Sequence, residues 1–404
     1  MTAPFTAAVI GAAFGDEGKG LATDLLCRRA PGALVVRHNG GAQAGHTVGT
    51  GAKRFVFHQL SAGSFRGADT FWAGSFLPDL YKLPEELADF RATAGFSPRV
   101  FADPDAGITL VDDVLLNMAL ETSRGENRHG SCGMGINEAT ERGRAGFRVT
   151  LGMISGMTAA SLTALLCRVR RDYALPRLSS FGLTPETAGE YGTLLTDPNV
   201  PARYAEGVLR GLEAVRLVPD PDAFLQSRQT VIFEGAQGLL LDAENRTYAP
   251  HVTASRTGLT NPLRLCRAAG RSLDLALYVA RSYLTRHGAG PLPGETAPSA
   301  LGAISPDETN RENPWQGRLR YARHPSPAAL AAPILDDLGD WDGTAALFVT
   351  HLNETEGLLR FASGDLPPAA LAAHPAFGGR LSFVGASSSK TDGALPLLCG
   401  GEKS

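Results

Sequence analysis

Residues Phe5 to Gly20 read FTAAVIGAAFGDEGKG, an apolar run followed by a loop with glycines at 11, 15, 18 and 20, the acidic pair Asp16 and Glu17, and Lys19. The run predicts a β-strand and the loop a phosphate-binding turn. Glycine lets backbone N–H groups approach an anion, Lys19 adds a positive charge, and Leu21 to Cys27 suits the helix that such a turn feeds. The common pattern G-x-x-x-x-G-K-[ST] would require glycine at 13 and a hydroxyl at 20, where this chain has Ala13 and Gly20. The hydroxyl that ordinarily holds Mg2+ is therefore missing, and two carboxylates stand where an anion would bind. That placement predicts a metal bridge to phosphate or a carboxylate acting as a base. The same residues would also suit a glycine-rich turn whose acids lie in solvent.

The 404-residue chain is 43% apolar, enough for a large core. A net charge of -3 gives no general attraction to nucleic acid or to an anionic membrane, so the expected partners are small molecules. Cys27, Cys132, Cys167, Cys266 and Cys399 are odd in number and form no CxxC pair, which argues against a disulfide framework and a zinc site and fits a reducing compartment. The first strand begins too early for a signal peptide, and no run approaches the roughly 20 apolar residues of a membrane span. A soluble cytoplasmic protein is expected, in the host cytoplasm if it is phage-encoded.

Further strands are expected at Ala33–Arg37, Arg54–His58, Val231–Phe233, Leu275–Val279 and Ala345–Val349, the last being the final clear strand. Pro104 to Asn117 leads into a helix. Several strands run into dense loops: HNGGAQAGHT at 38–47, EGAQG at 234–238, TRHGAGP at 285–291 and THLN at 350–353, with RHGSCGMGIN at 128–137 between them. In a parallel sheet such loops gather at the carboxyl edge, where ligands bind. The fold expected is α/β, a P-loop-like and mostly parallel central sheet flanked by helices, with the active-site loops at one edge. It forms a single domain over 1–404 with a helix-rich subdomain at about 158–228.

Four of these motifs occur together and in order: Gly-Asp-Glu-Gly-Lys-Gly at 15–20, Gly-Gly then Ala-Gly-His-Thr ending at Thr47, Phe-Glu-Gly-Ala-Gln-Gly at 233–238, and Thr-Arg-x-Gly-Ala-Gly-Pro at 285–291. With them the chain resembles the adenylosuccinate synthetase family, from the first strand to the Ser/Lys-rich segment Gly385 to Asp392, and only loosely over 160–228. The resemblance implies a ligase that joins L-aspartate to a 6-oxopurine nucleotide with a nucleoside triphosphate and Mg2+. A 6-oxopurine carbonyl is a poor electrophile, so its oxygen must become a leaving group, and phosphorylating it requires loss of the N1 proton. By resemblance Asp16 is that base and, with the carbonyl of Gly45, a Mg2+ ligand. His46 would act on the charge developing at the 6-oxygen. Gly15, Glu17, Gly18, Lys19, Gly20, Gln43, Ala44, Thr47, Ser131, Cys132, Gln237, Thr253 and Ser387 fall at positions that hold nucleotide. Arg144 matches an arginine that reaches the neighbouring subunit's 5′-phosphate, which implies a homodimer.

The segment Asn313 to Arg320 lies where the family binds aspartate. Arg318 and Arg320 keep forks that can grip carboxylates, with Gln316 and Gly317 beside them. The chain also departs from the family pattern. Trp315 and Gln316 replace threonines, Leu319 and Tyr321 replace arginines, Cys132 a Thr, Gln43 an Asn, and His287 a small apolar residue near the sugar. Where the family reads guanine with Thr-Lys-Leu-Asp, this chain has Thr350-His351-Leu352-Asn353, whose amide complements adenine and favours ATP or dATP. Such changes resemble the phage-type branch, which uses dGMP. The best-known members of that branch replace the catalytic Asp by Ser, whereas Asp16 is kept here. Three readings stay open: a dGMP:aspartate ligase, an ordinary IMP:aspartate ligase, and a non-catalytic nucleotide-binding switch.

Overall fold

The structure, a computed structural model, describes residues 3–50, 53–305, 315–387 and 393–394. Its main sheet has ten strands: β1 (Phe5–Gly11), β2 (Leu34–Arg37), β5 (Asp69–Trp72), β6 (Val100–Ala102), β7 (Val215–Leu217), β8 (Thr230–Gly238), β9 (Leu275–Arg281), β13 (Thr344–Thr350), β14 (Leu381–Ser387) and β15 (Gly393–Ala394). Their order is β15-β14-β13-β9-β1-β8-β2-β5-β6-β7. Every pairing is parallel except β14 with β15. Two smaller sheets, β3 (His46–Thr50) with β4 (Lys53–Phe57), and β10 (Leu284–Arg286) with β11 (Glu295–Thr296) and β12 (Arg320–Ala322), stand beside it.

The central strands are apolar on both sides because both sides are covered. Ala7 and Val9 of β1 pack with Val35, Ile232, Leu277 and Phe348 against Leu21, Leu25 and Leu26 of helix α1 (Lys19–Arg29). Ala8 and Ile10 face the other way, with Val36, Phe233, Tyr278 and Leu347, onto helices Thr260–Ala268 and Pro327–Leu338. A one-residue slip of β1 would exchange these two sets, so its register on β8 and β9 is fixed by packing.

The structure lengthens several expected strands. The expected run at 231–233 extends through the EGAQG motif to Gly238, and the expected helix after Pro104 starts only at Val111. Beyond the expected last strand lies β14, which pairs with β13. Residues 158–228 hold helices from Ala159 to Gln226 together with β7, which joins the main sheet through β6. No helix among the described residues is long and apolar enough to cross a membrane. Of the expected positions, Cys399, Asn313, Pro314 and residues 388–392 lie outside the described residues.

Candidate active site

β1, β2, β8, β9 and β13 all end at the carboxyl edge, and the loop after β1 is the hub there. Gly15 and Gly18 take left-handed φ values of 98° and 96°, and Asp16 does the same at 62°, a conformation that costs a side-chain-bearing residue on the order of 1 kcal/mol. Glu17 is not in solvent. It is 2% exposed, its Oε1 accepts the amides of Ala13 at 3.0 Å and Gly15 at 2.7 Å, and its Oε2 pairs with Lys19 Nζ at 2.7 Å. Two loop amides and the lysine therefore face an internal carboxylate, leaving the first-turn N–H groups of α1 for an outside anion. A Cβ on Gly11 would lie 2.5 Å from Glu17 Oε2, and one on Gly238 2.6 Å from its Oε1, so this burial depends on both glycines. Asp16 is half-buried, and no described residue hydrogen-bonds its carboxylate.

His46 opens β3 beside this loop. A Cβ on Gly20 would fall 2.8 Å from the Cβ of His46, so the first turn of α1 and the imidazole share one contact. Nδ1 of His46 sits 2.9 Å from Oε1 of Glu234, which is fully buried in β8 and also accepts the Ala62 amide and faces Arg37 at 3.8 Å. Burial lowers the His46 pKa, and Glu234 opposes that shift. Burial also disfavours the Glu234 carboxylate, but His46 and Arg37 outweigh it and hold the group ionised. The imidazole is therefore neutral in the free protein, oriented through Nδ1, with Nε2 left for a substrate.

Around the hub, buried side-chain atoms stand without partners. Among the described residues, Oε1 of Gln43 and Oε1 of Gln237 have none beside the hub, and both ring nitrogens of His287, in the loop against Gly130, have none either. Leaving such an atom unsatisfied costs about 1–3 kcal/mol, so a cluster of them marks a place for a polar ligand. Gln237, itself left-handed at φ 61°, lies against Gly15.

Four loops form the opposite wall. The 128–135 loop is strung on helix α3 (Val111–Arg124): Glu121 Oε2 accepts the amides of Gly130 and Ser131, and Asn117 bonds the Ser131 hydroxyl at 2.8 Å. Gly130 touches Gly288 and Ala289, and Gly133 touches Trp315. Thr253 donates its amide to Leu241, and its hydroxyl lies 3.4 Å from that of Ser255, which in turn receives the Gly40 amide. Burial pushes the Cys132 thiol up, away from thiolate chemistry. Arg286 bridges the two walls: it lies over the Phe14 ring at 4.6 Å and donates to the carbonyls of His251 and Pro291, and burial brings its pKa down to about 10.

The expected residues thus fall into a core and a periphery. Gly15 to Gly20, Gln43 to Thr47 and Gln237 surround the hub; Ser131, Cys132 and Thr253 line the wall; Ser387 ends β14. Arg320 is held by Glu295 and by the carbonyls of Gly288 at 3.2 Å and Gly290 at 2.7 Å, which fixes its fork within the protein. Arg318 is exposed, with Gln316 and Gly317 half-buried beside it. Asn353 is exposed on the turn after β13. Arg144 is 63% exposed beyond helix α4 (Ile136–Arg142), paired with Glu141. Sequence reasoning passed over Glu234, Arg281, Tyr283 and Glu354. Glu234 was detectable, since an acid inside the apolar run VIFEGAQG must find a buried cation or imidazole.

Fold and site together define an α/β protein whose phosphate-type loop carries a carboxylate beside a His–Glu pair. A family model described as adenylosuccinate synthetase matches residues 8–311, and the chain belongs to that family. Adenylosuccinate synthetases from Anaeromyxobacter sp. and Gloeobacter violaceus are 30% and 33% identical to it over 296 and 300 residues, 71% of this chain in each case. The chain spans 64% and 62% of the length of these curated relatives. Among solved structures, the fully ligated adenylosuccinate synthetase of Plasmodium falciparum superposes with a TM-score of 0.66 at 21% identity, over 86% of this chain and 77% of that one. The succinoaminodeoxyadenylate synthetase (PurZ) of cyanophage S-2L, bound to dGMP and dATP as an energy donor, superposes with a TM-score of 0.60 at 14% identity, over 96% and 94%. Both have the same fold.

Proposed function

We propose that this chain joins L-aspartate to C6 of a purine nucleoside monophosphate, with dGMP as the acceptor and ATP or dATP as the phosphoryl donor. The observation that carries the ligase reading is that one sheet edge holds both Asp16, whose carboxylate has no hydrogen-bond partner among the described residues, and His46, oriented by Glu234. Asp16 takes the N1 proton, the 6-oxygen attacks the γ-phosphorus, and the bond to the β-phosphate oxygen breaks. The neutral aspartate amine then attacks C6, the C6–O bond breaks, and the departing phosphate carries off the proton the amine loses. His46 Nε2 meets the charge growing on the 6-oxygen, and that charge, added to Glu234, favours the imidazolium.

The donor set fits Mg2+. Asp16 offers a carboxylate and Gly45, which is exposed, a carbonyl; magnesium takes few protein oxygens and keeps water and phosphate for the rest. When bound, the ion supplies neutralisation of phosphate charge. Arg318 is proposed for the aspartate carboxylate, with Arg320 shaping the loop, and Arg144 for the partner's site in a homodimer.

For dGMP and an adenine donor the support is Asn353 in place of a guanine-reading carboxylate, together with the near-complete overlay on the cyanophage protein, which is bound to dGMP and dATP. Retention of Asp16, and the identity of the curated relatives, favour IMP as a second reading. Separate incubations with IMP, GMP and dGMP, each with aspartate, MgCl2 and ATP, dATP or GTP, decide between them. The succino product from dGMP alone is the expected result. Product from IMP alone moves the chain to the second reading, and none from any acceptor leaves a nucleotide-binding switch.

A further inference from the structure

The ends of β9 and β13 carry a line of side chains that the reaction above does not use. Arg281, the last residue of β9, donates from Nε to the Asp16 carbonyl and from Nη1 to the Tyr283 hydroxyl at 3.2 Å. Tyr283, 1% exposed, donates that hydroxyl's proton to Oε2 of Glu354. Glu354 closes the turn that presents Asn353 and also holds Nδ1 of His351 at 3.2 Å. A second strut runs parallel: Thr350, the last residue of β13, donates its hydroxyl to the Glu17 carbonyl at 2.7 Å. The two successive carbonyls of the catalytic loop, one belonging to the left-handed Asp16, are thus gripped from the strand ends that flank the Asn353 turn. The Tyr283 hydroxyl has one proton and gives it to Glu354, so its lone pair is what receives Arg281. Removing that one oxygen opens the line without emptying the core.

We infer that Tyr283 is a positioning residue that couples the turn at 351–354 to Asp16, so that binding of a purine nucleoside triphosphate at the turn sets the base for proton abstraction. The inference rests on the reading that this turn faces the donor's base. A rigid hydrogen-bonded line between two sites lets a ligand at one bias the geometry at the other, provided its contacts differ between the two arrangements.

The test is Tyr283→Phe, which keeps the ring. Turnover with the accepted nucleotide is expected to fall about 10- to 50-fold, with the KM for aspartate and for the monophosphate within about threefold of wild type. An activity-independent readout is hydrogen exchange of the peptide spanning residues 12–20. In wild type, ATP or GTP with MgCl2 slows exchange there, and in Tyr283→Phe that protection is lost while free-state exchange is unchanged. Wild-type turnover in the variant, equal protection in both proteins, or no protection by either triphosphate in wild type each overturns the coupling. If Tyr283→Phe does not fold, Arg281→Lys is read by the same two measurements. Protection that depends on Tyr283 in a protein that forms no succino product supports the coupling and removes the ligase reading, so the two fail separately.

Discussion

Asp16 and His46 do different work because their surroundings differ. Asp16 sits half-buried with its carboxylate unclaimed by any described residue, while His46 is enclosed and tied to a buried carboxylate. Replacing Asp16 by Asn keeps size and removes the proposed base, and turnover should drop roughly 100-fold or more. Steady-state assay with the accepted nucleotide checks this, and near-normal turnover would show that another group takes the N1 proton. For His46, burial pulls the pKa down and Glu234 holds it up. Glu234→Gln removes the opposing influence, so the imidazole should titrate at a lower pH than in wild type, followed by NMR of the ring protons. An unchanged or higher titration point would mean that Glu234 does not set the protonation of His46. Arg320 shows the reverse lesson. In sequence it offers a fork for a carboxylate ligand, but Glu295, 25 residues earlier in the chain, claims its guanidinium.

At the scale of elements, α1 and the turn after β13 decide how the hub is shaped. Alanine at Gly20 would bring a Cβ to 2.8 Å from that of His46, closer than real carbons approach. One of the two must shift, and overpacking of this kind costs about 1–3 kcal/mol. Gly20→Ala should therefore lower turnover at least tenfold while the protein still folds; a variant with full activity and an unchanged melting point would show that His46 has room to move. The turn after β13 is held by Glu354 and Thr350, yet Asn353 itself is exposed and available to a base edge. A bidentate base contact is worth about 1–3 kcal/mol, which corresponds to roughly 10- to 100-fold in kcat/KM between adenine and guanine donors. Asn353→Asp should narrow or reverse that preference. Equal loss with ATP, dATP and GTP would mean that the residue only caps the turn. These loops were legible in sequence because glycines and polar residues punctuate apolar strands. Strands β5, β6 and β7 were not: Asp69–Trp72, Val100–Ala102 and Val215–Leu217 are too short to show a period, and only pairing in the sheet makes them strands.

Across the whole molecule, the fold carries buried ionisable groups that the reaction does not need, and these tie stability to pH. His38 is fully buried with neither ring nitrogen partnered, and burial lowers its pKa to about 3. His324, also buried, has Nε2 2.9 Å from the Arg281 carbonyl, and burial lowers its pKa to about 4. Unfolded, both would titrate near their ordinary value of about 6.5. Between that value and the folded ones, the unfolded chain binds more protons, so stability is complete above pH 7 and falls as pH drops. By pH 5 each histidine removes about 2 kcal/mol. Asp337 acts in the opposite sense: burial raises its pKa to about 6, so it gains a proton in the folded state and returns about 1 kcal/mol over the same range. The carboxylates held low, such as Glu234 and Asp365, keep their stabilising contribution over this range and lose it only as pH falls below the ordinary carboxylate values. From His38, His324 and Asp337 together the net loss between pH 7.5 and pH 5 is about 3 kcal/mol, a large share of the roughly 5–15 kcal/mol that holds a domain folded. Urea denaturation at the two pH values should show that loss, and His38→Leu should remove about two-thirds of it while leaving the midpoint at pH 5 less changed than at pH 7.5. A midpoint that does not move between the two pH values would mean that His38 and His324 are not held neutral by the fold.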